Sequence, residues 1–132
     1  MRFEDGLCAL EVSKEGILIG EGITLLNIGD KIKQDTVGDK VMKSSLQVPF
    51  EKIMENAIGD YKDIKEDIVT SNYQKIYNFY SNKLENIDST EIIDPMNVTI
   101  EALKNAISIA SMLLTTNYLV ISENIKNDKV VL

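Results

Sequence analysis

The sequence predicts an all-α fold of several helices with one or two short β-strands. Three observations predict it. The stretch Glu91 to Val120, EIIDPMNVTIEALKNAISIASMLLTTNYLV, carries the longest helical pattern: Ala102, Ala106, Ile109 and Leu113 fall at i, i+4, i+7 and i+11, and Leu103, Ile107, Ala110 and Leu114 form a stripe beside them. Helical spacing recurs through the segments before it, and only Ile17 to Ile19 and Tyr118 to Ile121 read plainly as strands. So wide an apolar face, with so many small residues, marks a central helix, and the others are expected to wrap around the helix from Asp94 to Thr116.

Composition narrows the function classes. With 132 residues, 44% hydrophobic and 27% charged, the chain is sized for one soluble domain. A formal net charge of −7 would repel a phosphate backbone or an anionic lipid surface, so neither nucleic acid nor membrane is expected as a partner. No apolar run is seen to approach the ~20 residues of a membrane span, and Met1-Arg2-Phe3-Glu4-Asp5 lacks the apolar core of a signal peptide. An intracellular protein is expected. Cys8 stands alone in a chain without histidine, which excludes an internal disulfide, a Cys/His zinc site and a Cys-His catalytic pair.

Taken in order, Phe3, Leu7 and Leu10 at i, i+4 and i+7 predict an amphipathic helix ending before Gly16. Gly16-Ile-Leu-Ile-Gly20-Glu21-Gly22 is a β-prone run between glycines, a strand and a tight turn feeding the next helix. Leu25, Ile28 and Ile32 are the apolar positions of that helix, and Lys33 to Asp35 is a polar break. Val37, Val41 and Val48 share one face, and Leu46, Phe50, Ile53 and Ala57 another. Pro49 removes a backbone donor within this pattern, so a kink or two abutting helices is expected.

Asp60 is placed to cap a helix bearing Tyr61, Ile64 and Ile68, and Thr70-Ser71-Asn72 is turn-like. The aromatic segment around Tyr73, Tyr77, Phe79 and Tyr80 has no clean period and admits a short hairpin or strand near Ile76 to Phe79. Pro95 suits the first turn of a helix and Asp94 its N-cap, which together start the long helix. The apolar strand Tyr118 to Ile121 is expected to pair with something, another chain included, and residues 122–132 are expected to fray.

Three segments read together resemble the C-terminal part of the bacterial-type (group I) chaperonins, the GroEL family. Arg2-Phe-Glu-Asp5-Gly-Leu and Glu15-Gly16-Ile-Leu-Ile-Gly20-Glu21-Gly22-Ile-Thr-Leu-Leu26 are similar to R-V-E-D-A-L and E-E-G-I-V-x-G-G-G-x-A-L. Val37-Gly38, Lys40-Val41 and Val48-Pro49-Phe50-Glu51-Lys52-Ile53 are similar to V-G-x-K-V and A-P-L-R-Q-I. Ile92-Ile93-Asp94-Pro95, Val98-Thr99, Ala102-Leu103, Ala106 and Leu113-Leu-Thr-Thr116 are similar to I-x-D-P-x-x-V-T-x-x-A-L and L-x-T-T. The motifs keep the family's order and nearly its spacing over almost the whole chain.

The resemblance implies a multihelical equatorial-domain-like fragment: residues 1–15 the end of an intermediate-domain helix, 16–121 the second half of an equatorial domain, and 122–132 a tail. It implies a role in ATP-dependent protein folding by a ring, with ATP and Mg2+ as cofactors and other chaperonin subunits as partners. The family's Gly-Asp-Gly-Thr-Thr phosphate loop and its polypeptide-binding apical domain have no counterpart in these residues. The expectation is a fragment or truncated product, without ATPase or folding activity alone and self-associating through unpartnered apolar faces. Non-native polypeptide is then a partner only of a full ring. The expected location is the cytoplasm, or an organelle matrix.

Residue by residue, the resemblance implies that Asp5 is the carboxylate that orients the attacking water. It implies that Gly20, Glu21 and Gly22 form the turn approached by ribose and adenine, that Asp94 accepts from the ribose hydroxyls, and that Asn78 lies near the adenine. Glu21 stands where the family has a glycine, bringing a side chain and a negative charge toward the ligand. Each residue also has a plainer reading: Asp5 as a helix-terminal acid, Gly20 to Gly22 as a tight turn, Asp94 as an N-cap, Asn78 as part of a surface hairpin. Two other functions fit the same residues: a helical interaction module that pairs with chaperonin subunits or itself without nucleotide chemistry, and a stand-alone nucleotide-binding domain.

Overall fold

The computed structural model describes residues 6–8, 11–89 and 91–118. It falls into two compact units, Met1–Ile100 and Glu101–Leu132. The fold is mostly helical with two short antiparallel strand pairs. All-α architecture is therefore as expected, with four short strands in place of one or two.

In the first unit, residues 6–8 and 11–12 are helical and a 3-10 turn, Ser13–Glu15, leads into Gly16. There follow β1 (Ile17–Ile19), α1 (Ile23–Lys31), α2 (Val37–Ala57), α3 (Lys62–Thr70), β2 (Lys75–Asn78), β3 (Lys83–Asn86), a 3-10 turn (Ile87–Ser89) and β4 (Ile93–Pro95). The long helix α4 (Met96–Thr115) begins here. A capping box starts α2: the Asp39 N–H donates to Thr36 Oγ1 at 3.1 Å and the Thr36 N–H donates to Asp39 Oδ2 at 2.8 Å.

The core lies between α1, α2, α3 and the β2–β3 hairpin. Ile23, Leu26, Phe50, Met54, Ile68, Tyr73, Ile76 and Tyr77 are its buried members. The buried stripe of α1 is Ile23, Leu26 and Gly29, while Ile28 is exposed, a rotation from the predicted face. Gly29 explains it: a β-carbon there would stand 3.3 Å from Leu46 Cβ, so α2 packs against the one position of α1 that has no side chain. On α2 the buried set is Leu46, Phe50 and Met54, and Val37, Val41, Val48 and Ile53 are exposed.

Pro49 neither breaks the helix nor divides it, and α2 runs continuously from Val37 to Ala57. Pro49 and Ser45 both lie on the exposed side, where water can accept the role of the missing N–H donor. Asp30 draws three elements together: the Tyr73 hydroxyl donates to its carboxylate, and Lys43 Nζ lies 3.1 Å away. Lys65 of α3 reaches back to α2, 2.8 Å from Glu51 Oε1 and 3.1 Å from Gln47 Oε1.

The predicted centre of the fold is where the structure differs most. No residue of α4 is buried, and the core is built without it. The wide apolar face that argued for centrality is real, but the described residues place no partner over it. Asp94 and Pro95 also lie in β4, so the helix starts at Met96 and Asp94 is a strand residue rather than an N-cap. By length and composition α4, 20 residues with mean hydropathy 1.2, is nonetheless long and apolar enough to cross a bilayer, although Glu101, Lys104 and Asn105 interrupt its apolar run. The core helix of a larger soluble protein meets the same criterion.

In the second unit α4 continues to Thr115 and its residues are exposed apart from half-buried Leu103. Within it Lys104 and Glu101 form an ion pair of 2.7 Å. Tyr118 is exposed and not in a strand, and the rest of the predicted Tyr118 to Ile121 strand lies outside the described residues, as do residues 122–132.

Candidate functional site: the turn after β1 and the Asp94 strand

The antiparallel pairing of β1 with β4 sets Leu18 opposite Asp94 and Ile19 opposite Ile93. Main-chain bonds extend the ladder at both ends, from the Gly20 N–H to the Ile92 carbonyl (3.1 Å) and from the Met96 N–H to the Gly16 carbonyl (3.0 Å). Two segments remote in sequence are thereby fixed side by side. The β-branched doublet Ile92-Ile93 favours extended backbone, and Pro95 is tolerated because it ends the strand.

Beyond β1 the chain reverses through Gly20-Glu21-Gly22-Ile23, closed by a 3.1 Å bond from the Ile23 N–H to the Gly20 carbonyl. Glu21 and Gly22 both take left-handed backbone, with φ of 58° and 73°. That conformation costs a non-glycine residue about 1–2 kcal/mol, so Glu21 is held there by its surroundings. Thr24 braces the turn, its hydroxyl donating to the Ile19 carbonyl at 3.0 Å.

The glycines on either side serve packing. A β-carbon on Gly20 would meet Ile92 Cγ2 at 3.1 Å and its carbonyl oxygen at 3.2 Å, and one on Gly22 would meet the Phe50 nitrogen at 2.8 Å. The space freed by each missing side chain is taken up by β4's approach and by α2.

Glu21 itself points inward. It is 8% exposed, and both carboxylate oxygens are buried without a hydrogen-bond partner. Burial is the main force raising its carboxyl from 4.5 to about 7; the Tyr77 main-chain N–H opposes this by favouring the charged form, and the Asp94 charge raises it further. Asp94 is half-buried, its carboxyl also raised by burial, and no side-chain hydrogen bond engages it among the described residues.

Asn78 closes β2 and is fully engaged at the hairpin turn. Its Nδ2 donates to Glu85 Oε2 at 3.0 Å, while Oδ1 accepts from the N–H groups of Tyr80 (2.9 Å) and Ser81 (3.3 Å). This is the turn-capping use of asparagine, which matches its plainer sequence reading.

The family description "TCP-1/cpn60 chaperonin family" matches residues 1–124. The chain belongs to the TCP-1/cpn60 chaperonin family. It is similar to the chloroplastic chaperonin GroEL of Cyanidium caldarium, 33% identical over 138 residues, covering 97% of this chain and 26% of the relative. The corresponding values are 36% over 137 residues, 96% and 26% for the chloroplastic chaperonin GroEL of Gracilaria tenuistipitata var. liui. For chaperonin GroEL of Mycoplasmoides gallisepticum they are 34% over 138 residues, 98% and 26%. The chain thus spans about a quarter of the length of these relatives. Its fold is similar to one described as "Crystal structure of group III chaperonin in the open state", with a TM-score of 0.69 at 24% identity over 83% of this chain and 25% of that one.

Within this chaperonin family member, Gly20, Glu21, Gly22 and Asp94 converge at one corner through the β1–β4 pairing. Asn78 sits at the hairpin turn with its side chain committed there, and Asp5 lies outside the described residues. Sequence reasoning missed the strand β4, the close approach of Ile92 to Gly20, and the inward course of the Glu21 side chain. The first had a signal, the Ile92-Ile93 doublet before a proline. Among the described residues there is no group of three or more His, Cys, Asp or Glu side chains placed to hold a metal ion.

Proposed function

We propose that the chain serves as the second half of the equatorial domain of a group I chaperonin subunit, contributing to ATP binding and ring assembly in ATP-dependent protein folding. The observation that supports this reading is the β1–β4 pairing, which brings the turn 20–22 and the Asp94 carboxylate together in the segments that carry the family motifs. Asp94 suits a ribose: a half-buried carboxylate with no side-chain hydrogen bond can accept from two adjacent hydroxyls. Glu21 suits it poorly as it stands, because it sets a second, buried carboxyl beside Asp94. Asn78 contributes through the hairpin it caps, on the adenine side of the proposed site.

Bound ATP with Mg2+ would supply the transferable phosphoryl group and its charge neutralisation. Asp5 is assigned the orientation of the attacking water, and phosphate-binding groups come from a complete subunit. The residues of this chain hold the nucleoside end and, through the exposed apolar face of α4, meet the remainder of an equatorial domain. Ile107, Ile109, Met112, Leu113 and Leu114 on that face are all exposed, which supports self-association of the isolated chain. The chain alone is assigned no ATPase or folding activity, and its location is the cytoplasm or an organelle matrix.

Titration of Mg-ATP into the 15N-labelled chain, read by amide chemical shifts, tests the nucleotide reading. Saturable shifts centred on residues 20–22 and 94 are expected. Saturable binding that leaves these amides unmoved, or the absence of any shift at millimolar nucleotide, would overturn it.

A further inference from the structure

The acid in the turn is more than a lost glycine. A carboxylate that merely tolerated the position would reach for solvent or an N–H donor. Instead Glu21 turns into the protein, is 8% exposed, and buries both oxygens with no donor nearby but the Tyr77 main-chain N–H. Such burial of a polar group without compensation costs roughly 1–3 kcal/mol, more for a charged one, and the left-handed backbone at Glu21 adds to it. The backbone cannot relieve this by shifting. The Gly20 position is closed by Ile92 and the Gly22 position by Phe50 and Pro49, and the turn is tied by the bonds from Gly20 to Ile92 and from Ile23 to Gly20. The side chain is free to move first, and its departure would remove the packing behind the Gly20 and Ile23 main-chain bonds.

We propose that Glu21 is a proton-operated stopper of the corner formed by the turn 20–22 and Asp94: as a neutral acid it sits inside and covers the corner, and as a carboxylate it swings out and uncovers it. The proposal rests on the nucleotide reading for what the corner would hold, though the movement itself does not.

The sign follows from the groups that face Glu21. Burial is the main force against ionisation of the seated acid; from β2 the Tyr77 main-chain N–H favours ionisation, from β4 the like charge of Asp94 opposes it to a smaller extent, and on the α2 side Phe50 and Pro49 pack the turn. Among the described residues no cation is found to act on Glu21. Seated, the acid keeps its proton up to about pH 7, whereas released into water it ionises at the ordinary 4.5. Between those values each unit of pH favours release by about tenfold, and above pH 7 the gain levels off. The corner is covered in acid and opens toward neutrality. Release would leave the half-buried Asp94 facing the open corner, available to a ligand that presents hydroxyl donors.

Amide hydrogen exchange on the full chain, with no nucleotide present, tests the movement. The protection of the Gly20 and Ile23 amides, corrected for the intrinsic pH dependence of exchange, is followed from pH 5 to pH 8. Protection is expected to fall by about tenfold or more over this range in the parent and to stay flat in Glu21→Gln, which keeps the shape and cannot ionise. In Asp94→Asn, where the repelling charge is gone, the fall should level off at lower pH. The side-chain carboxyl carbon of Glu21, followed by 13C NMR, gives a readout independent of exchange, with a titration midpoint above the ordinary glutamate value. Flat protection in the parent, an equal fall in Glu21→Gln, or a Glu21 midpoint near 4.5 would overturn the stopper. None of these readings involves nucleotide, so the stopper can fail while ATP binding stands, and the reverse.

Discussion

Gly22 packs directly on the main chain of Phe50: a β-carbon at Gly22 would stand 2.8 Å from the Phe50 nitrogen and 3.1 Å from its Cα. One glycine thus joins the turn after β1 to the centre of α2, the helix that supplies Leu46, Phe50 and Met54 to the core.

Gly22→Ala should accordingly be costly. The new methyl meets backbone rather than a yielding side chain, and φ of 73° is unfavourable for alanine. A loss of about 2–4 kcal/mol is expected, adding overpacking to left-handed strain. Urea unfolding with an unchanged m-value would measure it. A change below 0.5 kcal/mol would mean that the turn and α2 separate easily.

The core assignment predicts a contrast between two isoleucines. Ile68 is fully buried on α3, and Ile109 on α4 is 54% exposed. Ile68→Ala should destabilise by about 2–5 kcal/mol, and Ile109→Ala by no more than about 0.5 kcal/mol. Equal losses, measured by denaturant midpoints at low concentration where the chain is monomeric, would show that α4 is packed after all.

These two positions also show how far the sequence could be read. The periodicity along Leu46, Phe50 and Ile68 belongs to helices whose partners are in the same chain, so pattern and burial agree there. The pattern in α4 was equally clear, but periodicity reports a face that needs covering and says nothing of where the cover comes from. Pro49 misled for a related reason: a proline's effect depends on whether its side of the helix is wet, which one sequence does not state. At the site, Gly20, Glu21, Gly22 and Asp94 were legible through family motifs, but the β1–β4 pairing that brings them together was not. The direction of the Glu21 side chain was not, because a left-handed backbone angle and a buried carboxylate are consequences of the packing at Ile92 and Phe50.

Tyr73 is expected to matter beyond its buried ring. Its hydroxyl donates to Asp30, and burial pushes the Asp30 carboxyl up while the Tyr73 hydrogen bond and the Lys43 ammonium outweigh burial and hold it below the usual range. Tyr73→Phe should cost about 1–2 kcal/mol, as a hydrogen bond to a charged acceptor is lost but Lys43 stays. It should also move the Asp30 carboxyl upward, which 13C NMR would detect.

Glu21 predicts a pH dependence with a definite sign. Its folded carboxyl, raised to about 7, is compared with 4.5 in the unfolded chain. Between those values the folded state binds more protons, so stability falls as pH rises. The contribution is complete below 4.5, is lost as pH passes through 7, and does not return above. Glu21→Gln should match the parent near pH 4.5 and exceed it at pH 8 by on the order of 1 kcal/mol, after allowance for water reaching the released side chain. Thermal unfolding of both proteins across pH 4.5 to 8 would reveal the divergence, and parallel curves would contradict it.

The most direct measurement is calorimetric titration of Mg-ATP into the parent chain and Glu21→Gly at pH 6, where the seated acid covers the corner. The account predicts that the glycine variant binds at least about tenfold more tightly, equivalent to 1.4 kcal/mol, and that the margin narrows at pH 8. Equal affinity of the two proteins at pH 6, or no binding by the glycine variant at any pH, would contradict the claim that this corner is a nucleotide subsite held shut by Glu21.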